Sequence, residues 1–450
     1  MRKLFIANRG EIAVRIARTA KEMGIATAVG VSEADLGSLA AQAADENVVL
    51  GPAPAAASYL NHDAVIGAAL ELGCDAVHPG YGFLSENAAF ARTVDAAGLI
   101  WVGPPAEAIE MMGNKAEARE AARRAGVPVL KGTDGPLDPE ADALEIARAI
   151  GYPLVVKASA GGGGRGIRFV HDESELLRTI DMARGEAAAV FGDPTVYLER
   201  FVESARHVEV QILGDGSSFI HLGDRDCSMQ RRSQKVIEEA PAPDLPDSVR
   251  QRMRESSVEL ARQCGYRGAG TVEFLYDPVR QEAAFIEMNT RIQVEHPITE
   301  QITGVDLVRE QLLIAYDGVM SLSQEDVAFR GHAIECRINA EDPDNNFFPS
   351  PGRIVRLAWP QGPGIRVDSG VGEGSVVTPF YDSMLAKLIV HADDRPAAIT
   401  AALQALAETE IEGIKTTIPM HSKLLSRPEF ADVAHHSKFI ETAPDMLEAS

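Results

Sequence analysis

Cysteine is scarce: only Cys74, Cys227, Cys264 and Cys336 occur in 450 residues, and no two stand at C-x-x-C spacing. That argues against a disulfide framework or a zinc cluster and points to a reducing, cytoplasmic setting. No stretch approaches the roughly 18 consecutive apolar residues of a membrane span, and only four apolar residues follow Met1-Arg2-Lys3 before Asn8-Arg9. Neither a membrane segment nor a signal peptide is expected. Basic residues are outnumbered, 43 against 66 acidic, for a formal net charge of −23. Such a field repels phosphate backbones and anionic lipid, so neither nucleic acid nor membrane is expected as a partner. No Gly-Lys dipeptide occurs, which excludes a Walker A loop, and no His-Arg-Asp or Asp-Phe-Gly supports a protein kinase.

What is present reads as a large soluble enzyme, with 45% apolar and 24% charged residues and a length that suits about three domains. Lys3 to Ala7 has strand character, Glu11 to Met23 has helical spacing at Ile12, Ile16 and Ala20, and Ile25 to Val31 is strand again after Gly24. The pattern continues with helices Asn61 to Leu72 and Asn87 to Ala97 and strands Asp75 to His78 and Leu99 to Val102. Residues 1–112 therefore predict an open parallel α/β domain. A helix Lys115 to Ala125 and a turn-rich loop at 131–136 open a second, α+β domain at 113–330, with antiparallel pairing and a glycine-rich lid at about 131–203. Short strands at His332 to Asn339, Ile354 to Ala358, Gly364 to Ser369 and Leu385 to His391, then a helix Pro396 to Glu408, predict a mostly β domain at 331–450.

Two features carry chemistry. The loop Ala160-Gly161-Gly162-Gly163-Gly164-Arg165-Gly166 fits G-x-G-x-x-G, but the following Ile167 to Val170 reads as strand, which rejects the dinucleotide fingerprint. It is either a mobile hairpin whose amides close over phosphates beside Lys157, or a flexible surface hairpin. The second feature is a hairpin of Thr271 to Tyr276 and Ala284 to Asn289. Pairing Tyr276 with Ala284 sets Glu273 opposite Glu287, with Val272, Phe274, Ile286 and Met288 on the core face. Facing carboxylates repel unless a cation lies between them. With Asn289 they suit Mg²⁺ shared with nucleotide phosphates; a solvated acidic hairpin is the alternative. If extension persists, Arg291, Gln293 and Glu295 share that side and add an anion-binding guanidinium, an amide and a base.

These segments, together with Ile6-Ala7-Asn8-Arg9-Gly10-Glu11-Ile12, His78 to Asn87, Arg225 to Arg232, Glu238 to Pro243, Glu335 to Pro343 and Tyr381 to Met384, resemble the biotin carboxylases of the ATP-grasp superfamily over nearly the whole chain. The resemblance implies ATP held by Lys115, Lys157, Glu199, Arg200, Val202 and His207, with Gly163 and Gly164 in the lid and Mg²⁺ (or Mn²⁺) on Glu273, Glu287 and Asn289. It implies bicarbonate at Lys235, Arg291 and Val294, with Glu295 as base. Arg337 would meet the biotin ureido oxygen, and Tyr81, Gln230 and Gln293 would line the biotin pocket. Ser233 replaces a histidine usual in the family, which shortens or removes a nucleotide contact. Implied partners are a separate biotin carboxyl carrier protein, carboxyltransferase subunits and a second copy in a homodimer. Met-Lys-Met is absent, and the chain after Glu408 is too short for a carrier domain. Acetyl-CoA is the expected final acceptor; pyruvate and propionyl-CoA are the alternatives. A different ATP-grasp ligase is disfavoured by the Tyr81 and Arg337 motifs, and Cys227 reads as packing.

Overall fold

The computed structural model describes residues 1–133, 135–138, 142–158, 167–191 and 193–443. The first sheet is parallel throughout, in the order Glu46–Gly51, Ala26–Ser32, Lys3–Ile6, Ala76–His78, Ile100–Trp101. Its central strand is covered on both faces, with Leu4, Phe5 and Ile6 fully buried, as parallel strands require. The helix Gly10–Glu22 turns Ile12, Ile16 and Ala20 inward as its spacing predicts. Glu46–Gly51 has no counterpart in the sequence reading: it is an edge strand whose polar start and half-exposed side chains hide the alternation. Asn8 clamps the turn before the helix by donating to the Pro79 carbonyl at 2.6 Å and the Tyr81 carbonyl at 2.7 Å. Gly80, at φ +62°, lies so close to that amide that a Cβ would sit 2.9 Å from Asn8 Nδ2.

The second sheet has eight antiparallel strands in the order Glu282–Asn289, Arg267–Asp277, Arg206–Asp215, Phe219–Arg231, Gln234–Ala240, His332–Asn339, Met384–Ala392, Ile365–Ser369. The sheet thus runs without a break from the middle of the chain into its last third. The helix Asp247–Gln263 covers one face through Met253 and Leu260 against Val208, Val210 and Phe274. The helix Arg395–Glu408 covers the far end through Ala398, Ala402 and Leu406 against Ile334, Cys336 and Ile338. A small three-stranded sheet, ordered Ile167–Val170, Leu154–Ala158, Val196–Arg200, packs on the helices Ala143–Ile150 and Leu176–Phe191. Ile167–Val170 is a strand, as expected after the glycine run; the run itself, with Gly163 and Gly164, lies outside the described residues. Among the described residues no helix is long and apolar enough to cross a membrane.

The acidic hairpin corrects the sequence register. Tyr276 pairs with Ala283, not Ala284, yet Glu273 still faces Glu287, because a bulge lies between Glu273 and Phe274 in the ladder. The bulge absorbs the one-residue slip at Ile286, which turns away from the core and is 39% exposed. The predicted strand from Ile354 is interrupted: pairing is confined to Gly352–Arg353 and Arg356–Ala358.

Candidate active site

A cleft of about 910 Å³ opens between the parallel sheet and the middle of the antiparallel one. Arg9, Glu11 and Tyr81 wall it from the N-terminal side, Arg337 and Tyr381 to Met384 from the other, and the central strands form its base. Along Arg206–Asp215 the two-residue period sends Val208, Val210 and Ile212 into the core and His207, Glu209 and Gln211 toward the cleft. Beneath lies Arg225, fully buried, donating to Glu209 at 2.6 Å, Gln211 at 2.7 Å, Thr299 at 2.9 Å and Thr271 at 3.1 Å.

Lys235 is the hub. Its ammonium reaches Glu295 Oε1 at 2.5 Å, Glu209 Oε2 at 2.7 Å, Glu273 Oε1 at 2.9 Å and Gln293 Oε1 at 3.3 Å, four acceptors for three N–H donors. Arg337 takes the other Glu295 oxygen at 2.9 Å and Glu238 Oε1 at 2.5 Å. Burial alone would raise the Glu295 carboxyl, but the charges of Lys235, Arg337 and Arg225 outweigh it and hold it well below the ordinary carboxylate range. The same carboxylates, against burial, push the Lys235 ammonium well above its ordinary value. Cys227 is fully buried with Sγ donating to Glu295 Oε1 at 3.9 Å, and burial beside Glu209 drives its thiol far up, which makes it a poor nucleophile.

Residues 290–295 are not extended: the chain turns, and Glu295 becomes the cap residue of the helix His296–Thr303. The turn still delivers Arg291, Gln293, Val294 and Glu295 to the cleft. Arg291 donates to Glu86 at 2.8 Å and Asn289 at 3.1 Å. Gln230 and Ser233 also line the cleft, Gln230 Nε2 within 3.0 Å of His207 Nδ1. Ser233 sits at φ +63° in the tight turn between Phe219–Arg231 and Gln234–Ala240.

Glu273, Glu287 and Asn289 all face the cleft, Glu273 and Glu287 in direct register. Glu273 is held well below its ordinary value, burial being outweighed by Lys235 and His207, whose Nε2 lies 3.1 Å from Glu273 Oε2. Glu287 has no ion-pair partner among the described residues, and burial together with Glu273 and Glu86 pushes its carboxyl up. An unpaired carboxylate raised by its neighbour, beside a second carboxylate and an amide oxygen, is a donor set that a hard divalent cation fits.

The remaining nucleotide candidates lie toward the lid. Lys157 and Glu199 form an ion pair, with Arg119 3.7 Å from Glu199. Lys115 opens the helix Lys115–Arg124 behind its cap, Asn114, and its charge is felt by Glu287. Arg200 and Val202 do not reach the main cleft: they wall a separate cavity of about 470 Å³ with Val129, Met253 and Glu282. The Arg200 guanidinium is spent on the Ile150 carbonyl and on Glu282 at 2.6 Å. Sequence reasoning did not single out Glu209, Arg225 or Glu238 as site residues. Glu209 was within reach, two residues along the strand from His207; Arg225 and Glu238 become visible only when distant strands pair.

Residues 114–322 match the family model for the carbamoyl-phosphate synthase L chain, ATP binding domain. With the carboxylate-lined cleft, this makes the protein an ATP-dependent ligase of the ATP-grasp class. Residues 1–109 and 335–442 match the models for the biotin carboxylase N-terminal domain and the biotin carboxylase C-terminal domain. The chain belongs to the biotin carboxylase family, the ATP-dependent component of biotin-dependent carboxylases. It is 50% identical over 443 residues to biotin carboxylase 1 of Bacillus subtilis, covering 98% of both chains. It is 48% identical to a pyruvate carboxylase subunit of Methanothermobacter thermautotrophicus, over 98% of this chain and 89% of that one. Among solved structures, the biotin carboxylase domain dimer of Hydrogenobacter thermophilus 2-oxoglutarate carboxylase, in complex with MgADP, ADP and bicarbonate, superposes with a TM-score of 0.85. It is 45% identical, over 100% of this chain and 99% of that one.

Proposed function

We propose that the chain uses ATP and bicarbonate to carboxylate biotin borne on a separate carrier protein, and that a carboxyltransferase then passes the carboxyl group to acetyl-CoA. The observation that carries the reading is the convergence of Lys235 and Arg337 on the Glu295 carboxylate, in a cleft that Arg291 also lines, beside the Glu273–Glu287 pair. Arg291 and Lys235 supply the positive charge that seats a small anion, with Val294 in the same cleft wall. Glu295 is ionised and able to take the bicarbonate proton; its basicity rises as Lys235 and Arg337 turn from it toward the reactants. The deprotonated oxygen then attacks the γ-phosphorus as the bond to ADP breaks, giving carboxyphosphate; this releases CO₂ and phosphate, the phosphate takes the biotin N1′ proton, and that nitrogen bonds to the carbon of CO₂. Mg²⁺, held by Glu273, Glu287 and Asn289, would neutralise charge building on the phosphate oxygens. Lys115, Lys157, Glu199 and His207 hold the nucleotide, Arg200 and Val202 border it from the second cavity, Ser233 lies at its edge, and the family resemblance assigns Gly163 and Gly164 to its phosphates. Tyr81, Gln230 and Gln293 position the biotin ring, and Arg337 offers its guanidinium to the ureido oxygen.

We further propose a homodimer, in line with the dimeric Hydrogenobacter domain, and domain limits near 112 and 330. Similarity to a pyruvate carboxylase component keeps pyruvate as a second reading for the acceptor. Phosphate release from ATP tests the activity: it should require bicarbonate and rise on adding free biotin. Release indifferent to both would refute it. Malonyl-CoA formed after adding a biotinylated carrier and an acetyl-CoA carboxyltransferase tests the acceptor, and transfer to pyruvate alone would favour the second reading.

A further inference from the structure

Lys387 is fully buried, in the middle of Met384–Ala392, and stands directly opposite Arg337 in the ladder. Two cations paired across a strand repel and are disfavoured unless something else binds them. Here each grips one of two consecutive residues of the catalytic turn. Arg337 holds the Glu295 carboxylate at 2.9 Å, and Lys387 Nζ donates to the Val294 carbonyl at 2.8 Å. That carbonyl belongs to the rigid planar peptide whose other end is the Glu295 N–H, so fixing it fixes where the Glu295 side chain starts. The charge of Lys387 is met by Glu11 Oε2 at 3.1 Å, and Glu11 accepts the Tyr81 hydroxyl through its other oxygen. On the far side the ladder partner of Lys387 is Asp368, itself held by Arg366 and Arg18. One buried ammonium, from the last part of the chain, therefore ties the turn carrying Val294 and Glu295 in the middle part to the helix start at Glu11 and the Tyr81 wall in the first.

We infer that Lys387 is a positioning residue for carboxylation, setting the Val294–Glu295 peptide against Arg337 and, through Glu11, the Tyr81 ring. The inference rests on the proposed roles of Glu295 and Tyr81. Apolar burial of the lysine stem alone would not need a carbonyl at 2.8 Å and a carboxylate on the same nitrogen.

The test is Lys387→Met, which keeps the stem and removes the donor, assayed by phosphate release at varied bicarbonate, biotin and ATP. Misplacing reacting groups by about 1 Å costs up to roughly 100-fold; kcat/KM for bicarbonate and for biotin should fall about 10- to 100-fold, while KM for ATP stays at the wild-type value. Should the single variant fail to fold because Glu11 is left charged and alone, Lys387→Met with Glu11→Gln carries the same assay. A folded variant with a lowered melting temperature but wild-type bicarbonate and biotin kinetics would overturn the inference, leaving Lys387 a stabilising residue only. Wild-type enzyme whose phosphate release ignores bicarbonate would overturn the reading of the cleft, and the inference with it.

Discussion

Glu238 and Glu335 stand directly opposite each other across the ladder between Gln234–Ala240 and His332–Asn339, and both are fully buried. Among the described residues neither oxygen of Glu335 has a hydrogen-bond partner, and Glu238 keeps one oxygen unpartnered while Arg337 holds the other. Burial drives Glu335 well above the carboxylate range, with Lys387 opposing and Glu238 adding. Burial likewise pushes Glu238 up to about 7, against Arg337 and with Glu295 adding.

A pH dependence of stability follows from that pair. Between the unfolded value of about 4.3 and the raised folded values, the native state binds more protons than the unfolded chain. The pair's contribution to stability therefore falls as pH rises through that window, by about 1.4 kcal/mol per pH unit for each extra proton. Burial holds the imidazoles of His78, His221, His296 and His421 below their ordinary value, and they contribute the opposite slope below about pH 6.5. Glu273 and Glu295, held low, are ionised in both states there and add no slope. In urea unfolding followed from about pH 5 to 8, Glu238→Gln should remove part of the pair's falling contribution, so its slope should be more positive than that of wild type. Identical slopes would mean that Glu238 titrates normally.

Divalent metal should bind weakly alone and much more tightly with nucleotide. Glu273 Oε1 is already shared by Lys235 and Gln293, so the protein offers less than a full cage. Calorimetry with Mg²⁺ in the presence and absence of a non-hydrolysable ATP analogue measures the coupling, and Glu287→Gln should abolish most of it. Equal Mg²⁺ affinity in both titrations would contradict the assignment of Glu273 and Glu287.

The parallel domain and the acidic hairpin were legible in sequence because each rests on a local period: 3.6 residues at Ile12, Ile16 and Ala20, two residues at Glu273 and Glu287. The core face of the hairpin was misread at Ile286, since a bulge leaves no mark in an alternating pattern. The turn at 290–295 escaped too, its Arg-Ile-Gln-Val-Glu alternation being that of a strand, although the helix starting at His296 bends it. What no local pattern holds is the charge network. Lys235 meets Glu209, Glu273 and Glu295 only because strands far apart in the chain become neighbours. For the same reason Arg337 meets Glu238 on the neighbouring strand and Glu295 on the turn.

Ser233→His should tighten nucleotide binding. The side chain lies at the cleft edge in a left-handed turn conformation that histidine tolerates better than most residues. One added hydrogen bond is worth about 1 kcal/mol, which corresponds to roughly a fivefold lower KM for ATP. An unchanged KM for ATP would show that this position does not touch the nucleotide.

Arg337 and Glu295 separate the two halves of the reaction. Arg337→Ala removes the charge offered to biotin but leaves Glu295, Lys235 and Arg291 around the bicarbonate position. Loss of one preorganised electrostatic contact typically costs about 3 to 4 kcal/mol, or roughly 10²- to 10³-fold, so stimulation by biotin should vanish while bicarbonate-dependent phosphate release persists. On the acid side that release should fall off at higher pH than in the wild type, because Arg337 is one of the charges holding Glu295 down and ionised. Glu295→Gln should abolish both activities, since the amide accepts no proton. Stability needs a control: Arg337 compensates two fully buried carboxylates, Glu238 and Glu295, and breaking a buried pair from one side costs about 3 to 5 kcal/mol. Adding Glu238→Gln to Arg337→Ala neutralises one of them and should recover part of the lost melting temperature without recovering biotin stimulation. If Arg337→Ala, folded, loses biotin-independent phosphate release as completely as Glu295→Gln does, Arg337 serves bicarbonate or nucleotide, and the division between the two half-reactions fails.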